Sequence, residues 1–136
     1  MPALNELMDR TYKNGTYKDA VTFLHVYVIE PHPKTPDLSP YRGEVWEVDN
    51  YSDKRQPLVY DDRVINAKAM LPALHDDTMA VVDDLTPGDN NPVWCTYGPC
   101  PNCSFLIGQD GMIKYVFKQS PKTADDFEVG MTALLP

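Results

Sequence analysis

The stretch Val21-Thr-Phe-Leu-His-Val-Tyr-Val-Ile29 decides how the rest of the chain is read. It carries β-branched and aromatic residues on both alternating faces, the pattern of a strand covered on both sides in a mostly parallel sheet. Such a strand is expected inside the sheet. Upstream, Leu4, Leu7, Met8 and Thr11 recur at helical spacing, with Pro2 suited to a first turn and Asn14-Gly15 suited to a stop. Downstream, prolines at 31, 33, 36, 40 and 57 each remove a backbone donor and resist helix. They predict a long irregular excursion over 34–60, with a short strand around Val45-Trp-Glu-Val48 inside it.

Beyond the excursion, Asp61-Asp62 can cap a helix through Val64, Ile65, Lys68 and Leu71 that Pro72 kinks or ends. Met79-Ala-Val-Val-Asp83 reads as a short strand, and the turn formers from Thr86 to Pro92 read as loop. Ser104 to Ile107, the turn Gly108-Gln-Asp-Gly111 and Met112 to Phe117 predict a β-hairpin. Ala124 to Leu135, entered from Asp125-Asp126, reads as a closing helix. The order α-β-(loop)-α-β-β-β-α, without internal repeat, predicts an α/β sandwich, a mixed sheet flanked by helices.

At 136 residues the chain is expected to form one domain over 1–136. Twelve Lys+Arg against 20 Asp+Glu leave a net charge of −8. That field repels phosphate backbones and anionic lipid, so no nucleic acid and no membrane is expected as a partner. Apolar runs such as Val26 to Ile29 are far shorter than the roughly 18 residues of a membrane span. Asn5, Glu6, Asp9 and Arg10 interrupt any leader-like stretch, which gives a cytoplasmic expectation. Three cysteines, an odd number, read as free thiols, a redox pair or metal ligands.

Several segments give the chain a family likeness. Phe23-Leu-His-Val-Tyr-Val-Ile-Glu-Pro-His-Pro33 resembles the strand ending in Glu-Ala-His-Pro of the iodothyronine deiodinase and redoxin-like family, a branch of the thioredoxin fold. Arg63 to Ala67, Val81-Val-Asp83, Tyr97-Gly98 followed by Pro101-Asn102, and the Phe105 to Ile107 hairpin with Asp110-Gly111 resemble further parts of it. The resemblance implies a thioredoxin-like fold and thiol or selenol redox chemistry. One departure is Pro31, where the family has Ala, which stiffens the corner. A larger one lies at the start. Family members begin with a strand leading into a Cys or selenocysteine loop at the first helix, whose dipole depresses the nucleophile's pKa. Met1 to Leu7 resembles the middle of that helix, so the expectation is an N-terminally truncated fold without that strand and nucleophile.

Glu30 and His32 stand at the carboxyl end of the long strand, where open α/β sheets place their sites. Such a pair can shuttle a proton, His32 because imidazole titrates near neutrality and Glu30 as its orienting acceptor; against this stands a solvated loop histidine between two prolines. Cys100-Pro-Asn-Cys103 has redox spacing but precedes a strand, whereas the redox motif precedes a thiolate-stabilising helix. The resemblance places Pro101 at the family's cis-proline, beside the active site. Cys95, Cys100 and Cys103 lack a spaced partner pair for a metal, and no metal or other cofactor is expected. His25 reads as a core histidine and His75 as a helix-end residue complementing a dipole. The Asp-Asp pairs at 61, 76, 83 and 125 read as caps and turns.

The sequence therefore predicts a degenerate or partial thioredoxin-fold redox protein. Whether it is an enzyme is left open; an active form would be an oxidoreductase with a thiol or small-molecule partner. The alternative is a non-catalytic module binding a ligand or protein around Glu30, His32, Trp94 and Tyr97. A further alternative recruits Cys100 and Cys103 as working thiols. Without a central strand, the long strand and the hairpin would face each other across a gap of unpaired edges, and a homodimer is the expected repair.

Overall fold

The computed structural model describes residues 2–40, 43, 53–85, 91–98, 103–119 and 121–135. Among them the chain is mixed α/β, with five α-helices and three separate two-stranded sheets. It divides into two compact units, one of Met1–Phe23, Ala73–Met79 and Cys100–Pro136, the other of Leu24–Pro72 and Ala80–Pro99.

In the first unit, helix α1 (Pro2–Asp9) buries Ala3, Leu7 and Met8. It ends sooner than the spacing predicts. Thr11–Tyr12 (β1) and Gly15–Thr16 (β2) form a tight antiparallel hairpin, with Lys13 at φ 51° in the turn. Asn14-Gly15 thus serves a hairpin turn and not a helix stop, because the pairing of Thr11 with Thr16 satisfies backbone groups that a longer helix would have used. A short helix α2 (Tyr17–Ala20) follows, its first turn capped by Asp19, which accepts from Thr16 N (2.8 Å) and Thr16 Oγ1 (2.7 Å).

The hairpin β5 (Ser104–Ile107) and β6 (Ile113–Phe117) matches its sequence reading, with Gly111 at φ 76° in the connection and an irregular register between Leu106 and Ile107. Helix α5 (Ala124–Leu134) closes the unit. Its cap is Thr123, whose hydroxyl accepts from Asp126 N at 3.3 Å; Asp125 and Asp126 occupy the first turn, where carboxylates suit the dipole. Leu7, Tyr17, Ala124, Phe127 and Met131 form the core, and Phe117 meets Phe127 edge-on at 5.3 Å. Arg10 ties α1 to α5 through Glu6, Asp125 and Glu128.

Strand β3 (Leu24–Tyr27), in the second unit, pairs with β4, which spans Met79–Val82 and belongs to that unit from Ala80 on. Met79 N donates to Phe23 O and Asp83 N to Tyr27 O, and the constant offset (79 − 23 = 83 − 27 = 56) makes the pair parallel. The strand is shorter than the predicted nine residues, and Leu24 is 56% exposed, so it is not covered on both sides. Helix α3 (Tyr60–Met70) continues into a 3-10 turn at Leu71–Ala73, so Pro72 ends it as predicted. Asp61 and Asp62 lie in its first turn and the cap is Val59. Pro92 opens helix α4 (Pro92–Tyr97), correcting the reading of this proline as loop. The predicted strand at Val45 to Val48 lies outside the described residues. No described helix is long and apolar enough to cross a membrane.

Candidate functional site

Five described polar or charged residues are buried: Glu30, Ser39, Arg63, Asp83 and Asn91. All belong to the second unit. A buried polar group costs free energy unless it is bonded, so this concentration marks where the molecule holds chemistry at the expense of packing. It gathers at the carboxyl ends of the two parallel strands, the edge at which open α/β sheets carry their sites.

At the end of β3 the chain leaves the sheet after Tyr27, and Glu30 turns back toward it. The Tyr27 hydroxyl donates to Glu30 Oε2 at 2.7 Å. Burial pushes the Tyr27 phenol well above its ordinary value; the adjoining Glu30 adds to the rise, while a hydrogen bond from Asn66 and the nearby Arg63 charge oppose it. The phenol is therefore a fixed donor at neutral pH and the carboxylate its acceptor. The main chain of Glu30 is held as well. Glu30 N donates to Gln56 Oε1 (3.2 Å), and Gln56 Nε2 donates to Glu30 O (2.6 Å). His32 follows two residues later, with Nδ1 buried.

At the end of β4, Asp83 is 2% exposed and its carboxylate accepts from Val93 N and Trp94 N, both at 3.0 Å. This caps the first turn of α4 from ten residues upstream. Arg63, 1% exposed, reaches from α3 to Asp83 O (3.2 Å) and Asp84 O (3.0 Å). Among the described residues, the buried Asn91 Oδ1 has no hydrogen-bond partner.

The expected residues are distributed as follows. Glu30 joins the polar cluster, and Trp94 is tied to it through its backbone and Asp83. Tyr97, one turn on, is exposed. A shallow depression of about 260 Å³ beside Gln56 is walled by Arg55, Pro57, Asp62, Ile65 and Asn66, not by the Trp94 and Tyr97 aromatics. Cys103 is disulfide-bonded and Cys95 is an exposed free thiol. Cys100 and Pro101 lie outside the described residues, and the described cis bond is Thr35-Pro36. Among the described residues no group of three or more His, Cys, Asp and Glu is placed to hold a metal ion.

His25 is half-buried on β3, and burial holds its pKa below the ordinary value. His75 does not end a helix. In the first unit its Nε2 meets Asp9 at 3.1 Å, and its Nδ1 accepts from Asp77 N, which makes Nε2 the protonated nitrogen of the neutral ring.

Sequence reasoning missed Tyr27, Gln56, Arg63 and Asp83. Tyr27 read as strand filler, and an Asp-Asp pair read as a turn. For Arg63 a signal existed, a basic residue whose helix neighbour four positions on, Ala67, is apolar and buried. No family model, curated protein or solved structure matches the chain.

Proposed function

We propose that the chain is a thioredoxin-like redox protein of the deiodinase-like kind, in which these 136 residues supply a proton-handling corner and not the nucleophile. The observation that carries the reading is the part-buried contact of Tyr27 with the buried Glu30 at the carboxyl end of a parallel strand, two residues before His32. A carboxylate held by one donor and followed by an imidazole can pass a proton to or from a leaving sulfur or selenium. Glu30 is the acceptor that orients the imidazole, and His32 is the group that gains and loses the proton.

The test is the imidazole ¹⁵N resonances of His32 in the whole chain, recorded at one fixed neutral pH. Glu30→Gln is expected to displace them, because an acceptor that orients an imidazole changes the hydrogen bonding of its ring nitrogens. Identical resonances in both proteins would refute the pairing. In parallel, the chain is expected to reduce disulfides no faster than an equal concentration of free thiol. Turnover abolished by Cys103→Ser would transfer the function to recruited cysteines.

A binding module remains the second reading, favoured by the exposed Tyr97 beside the half-buried Trp94 on α4. Quenching of Trp94 fluorescence by an aromatic ligand, abolished in Tyr97→Ala, would support it. The proposal includes a homodimer. It is supported by apolar side chains that both strand pairs leave exposed, Val81 (42%) on β4 and Ile107 (53%) and Val116 (41%) on the hairpin.

A further inference from the structure

The excursion after β3 returns to its own starting point. Its outgoing limb, 30–37, and its incoming limb, 53–57, are stitched together by Lys34 N donating to Lys54 O (2.6 Å). Arg55 grips the Asp37 carboxylate at both oxygens through Nε (2.6 Å) and its terminal nitrogen (2.7 Å). The same carboxylate accepts from Gln56 N at 2.8 Å. Gln56 is thereby fixed at its backbone, and its side-chain amide binds both the N–H and the C=O of Glu30, as a neighbouring strand would. The incoming limb also touches α3, where Asn66 Nδ2 donates to Arg55 O over 3.4 Å.

We infer that Gln56 is a positioning residue for Glu30, holding its backbone so that the carboxylate meets the Tyr27 hydroxyl, with the exposed Arg55–Asp37 ion pair as the surface end of the same chain of contacts. The physical reason is geometric. Val28 and Ile29 lie beyond the last residue of β3, so no described strand pairing fixes the peptide planes on either side of Glu30. A side-chain amide that donates and accepts at one residue fixes both planes at once and with them the direction of Cα–Cβ. Asp37 matters because Gln56 cannot hold another backbone unless its own is held. The assignment rests on the proton-handling reading of Glu30, and it adds that the corner is assembled from residues 26 positions apart in sequence.

The groups facing the phenol are Glu30 from the corner and Asn66 and Arg63 from α3. Tyr27 therefore reports on the Glu30 contact at neutral pH, without titration to alkali. In protein labelled with ¹³Cζ-tyrosine, the Tyr27 resonance is assigned by Tyr27→Phe. Glu30→Ala gives the displacement produced by losing the acceptor. Gln56→Ala is expected to displace the resonance in the same direction by at least half as much, while cooperative thermal unfolding is kept. If Gln56→Ala does not fold, Gln56→Glu, which keeps an acceptor for Glu30 N and loses the donor to Glu30 O, is expected to shift it likewise. A Tyr27 resonance at the wild-type position in the folded variant, with Glu30→Ala displaced, would overturn the assignment. The readout is independent of the His32 resonances: their staying unmoved in Glu30→Gln would sink the proton-handling reading, and the Tyr27 displacement would still decide what Gln56 does.

Discussion

His25 and the cysteines show how much a single side chain's surroundings alter its chemistry. Burial in the second unit favours the neutral imidazole of His25, so its folded-state pKa lies below the ordinary value of about 6.5. The unfolded chain therefore takes up the proton first. The stability associated with neutral His25 is complete above about pH 6.5 and is lost as the pH falls through the lower folded value. Urea unfolding measured from pH 7 downward is expected to show this loss in the wild type and a flatter profile in His25→Gln; parallel profiles would contradict it. For the cysteines, an alkylating probe applied without reductant is expected to label Cys95 and spare Cys103, and reduction is expected to expose Cys103. Labelling of Cys103 in the unreduced protein would show that its disulfide does not form in solution.

Between elements, close approach decides which substitutions are tolerated. Gly130 sits buried in α5 against the hairpin, and a Cβ there would lie 2.6 Å from Phe117 Cζ and 3.0 Å from Leu106 Cδ1. Alanine at a helix interior ordinarily gains up to about 1 kcal/mol over glycine. Overpacking of this kind costs about 1–3 kcal/mol. The contacts are short enough for the second effect to win, and Gly130→Ala is expected to destabilise the protein by about 1–2 kcal/mol in denaturant unfolding. A stabilised variant would mean that the Phe117 ring yields without cost. The same element scale explains a miss in the sequence reading. Pro92 belongs to a run of turn formers, and nothing local distinguishes a proline inside a loop from one opening a helix. What decides it is Asp83, whose carboxylate satisfies the orphan N–H groups of Val93 and Trp94.

For the molecule as a whole, the strand pairs β3–β4 and β5–β6 set the terms of assembly. Each of the three sheets has two strands, and two-stranded sheets are marginal unless packing or further pairing supports them. The hairpin β5–β6 gains that support from α5, while the pair β3–β4 keeps Met79 and Val81 exposed on β4. Light scattering at micromolar concentration is expected to give twice the 15.4 kDa chain mass. A mass near 15 kDa that does not change on dilution would show that one copy suffices. The net charge of −8 opposes self-association at low ionic strength, so a dimer is expected to strengthen as salt is added.

The amino-acid sequence by itself determined the features written in neighbouring residues. The β5–β6 hairpin is specified by two β-prone runs around an Asp-Gly turn, α5 and α3 by carboxylates in the first turn, and the end of α3 by Pro72. Glu30 and His32 were legible as candidates because a strand's carboxyl end is a position, and position follows from order along the chain. Tertiary structure alone decided which groups Glu30 meets. Tyr27 donates to it only because the chain bends after β3, and Gln56 reaches it only because an excursion of more than twenty residues closes on itself. Hydrogen bonds between residues distant in sequence leave no periodicity to read, since their partners are selected by the burial that makes an unpaired polar group costly.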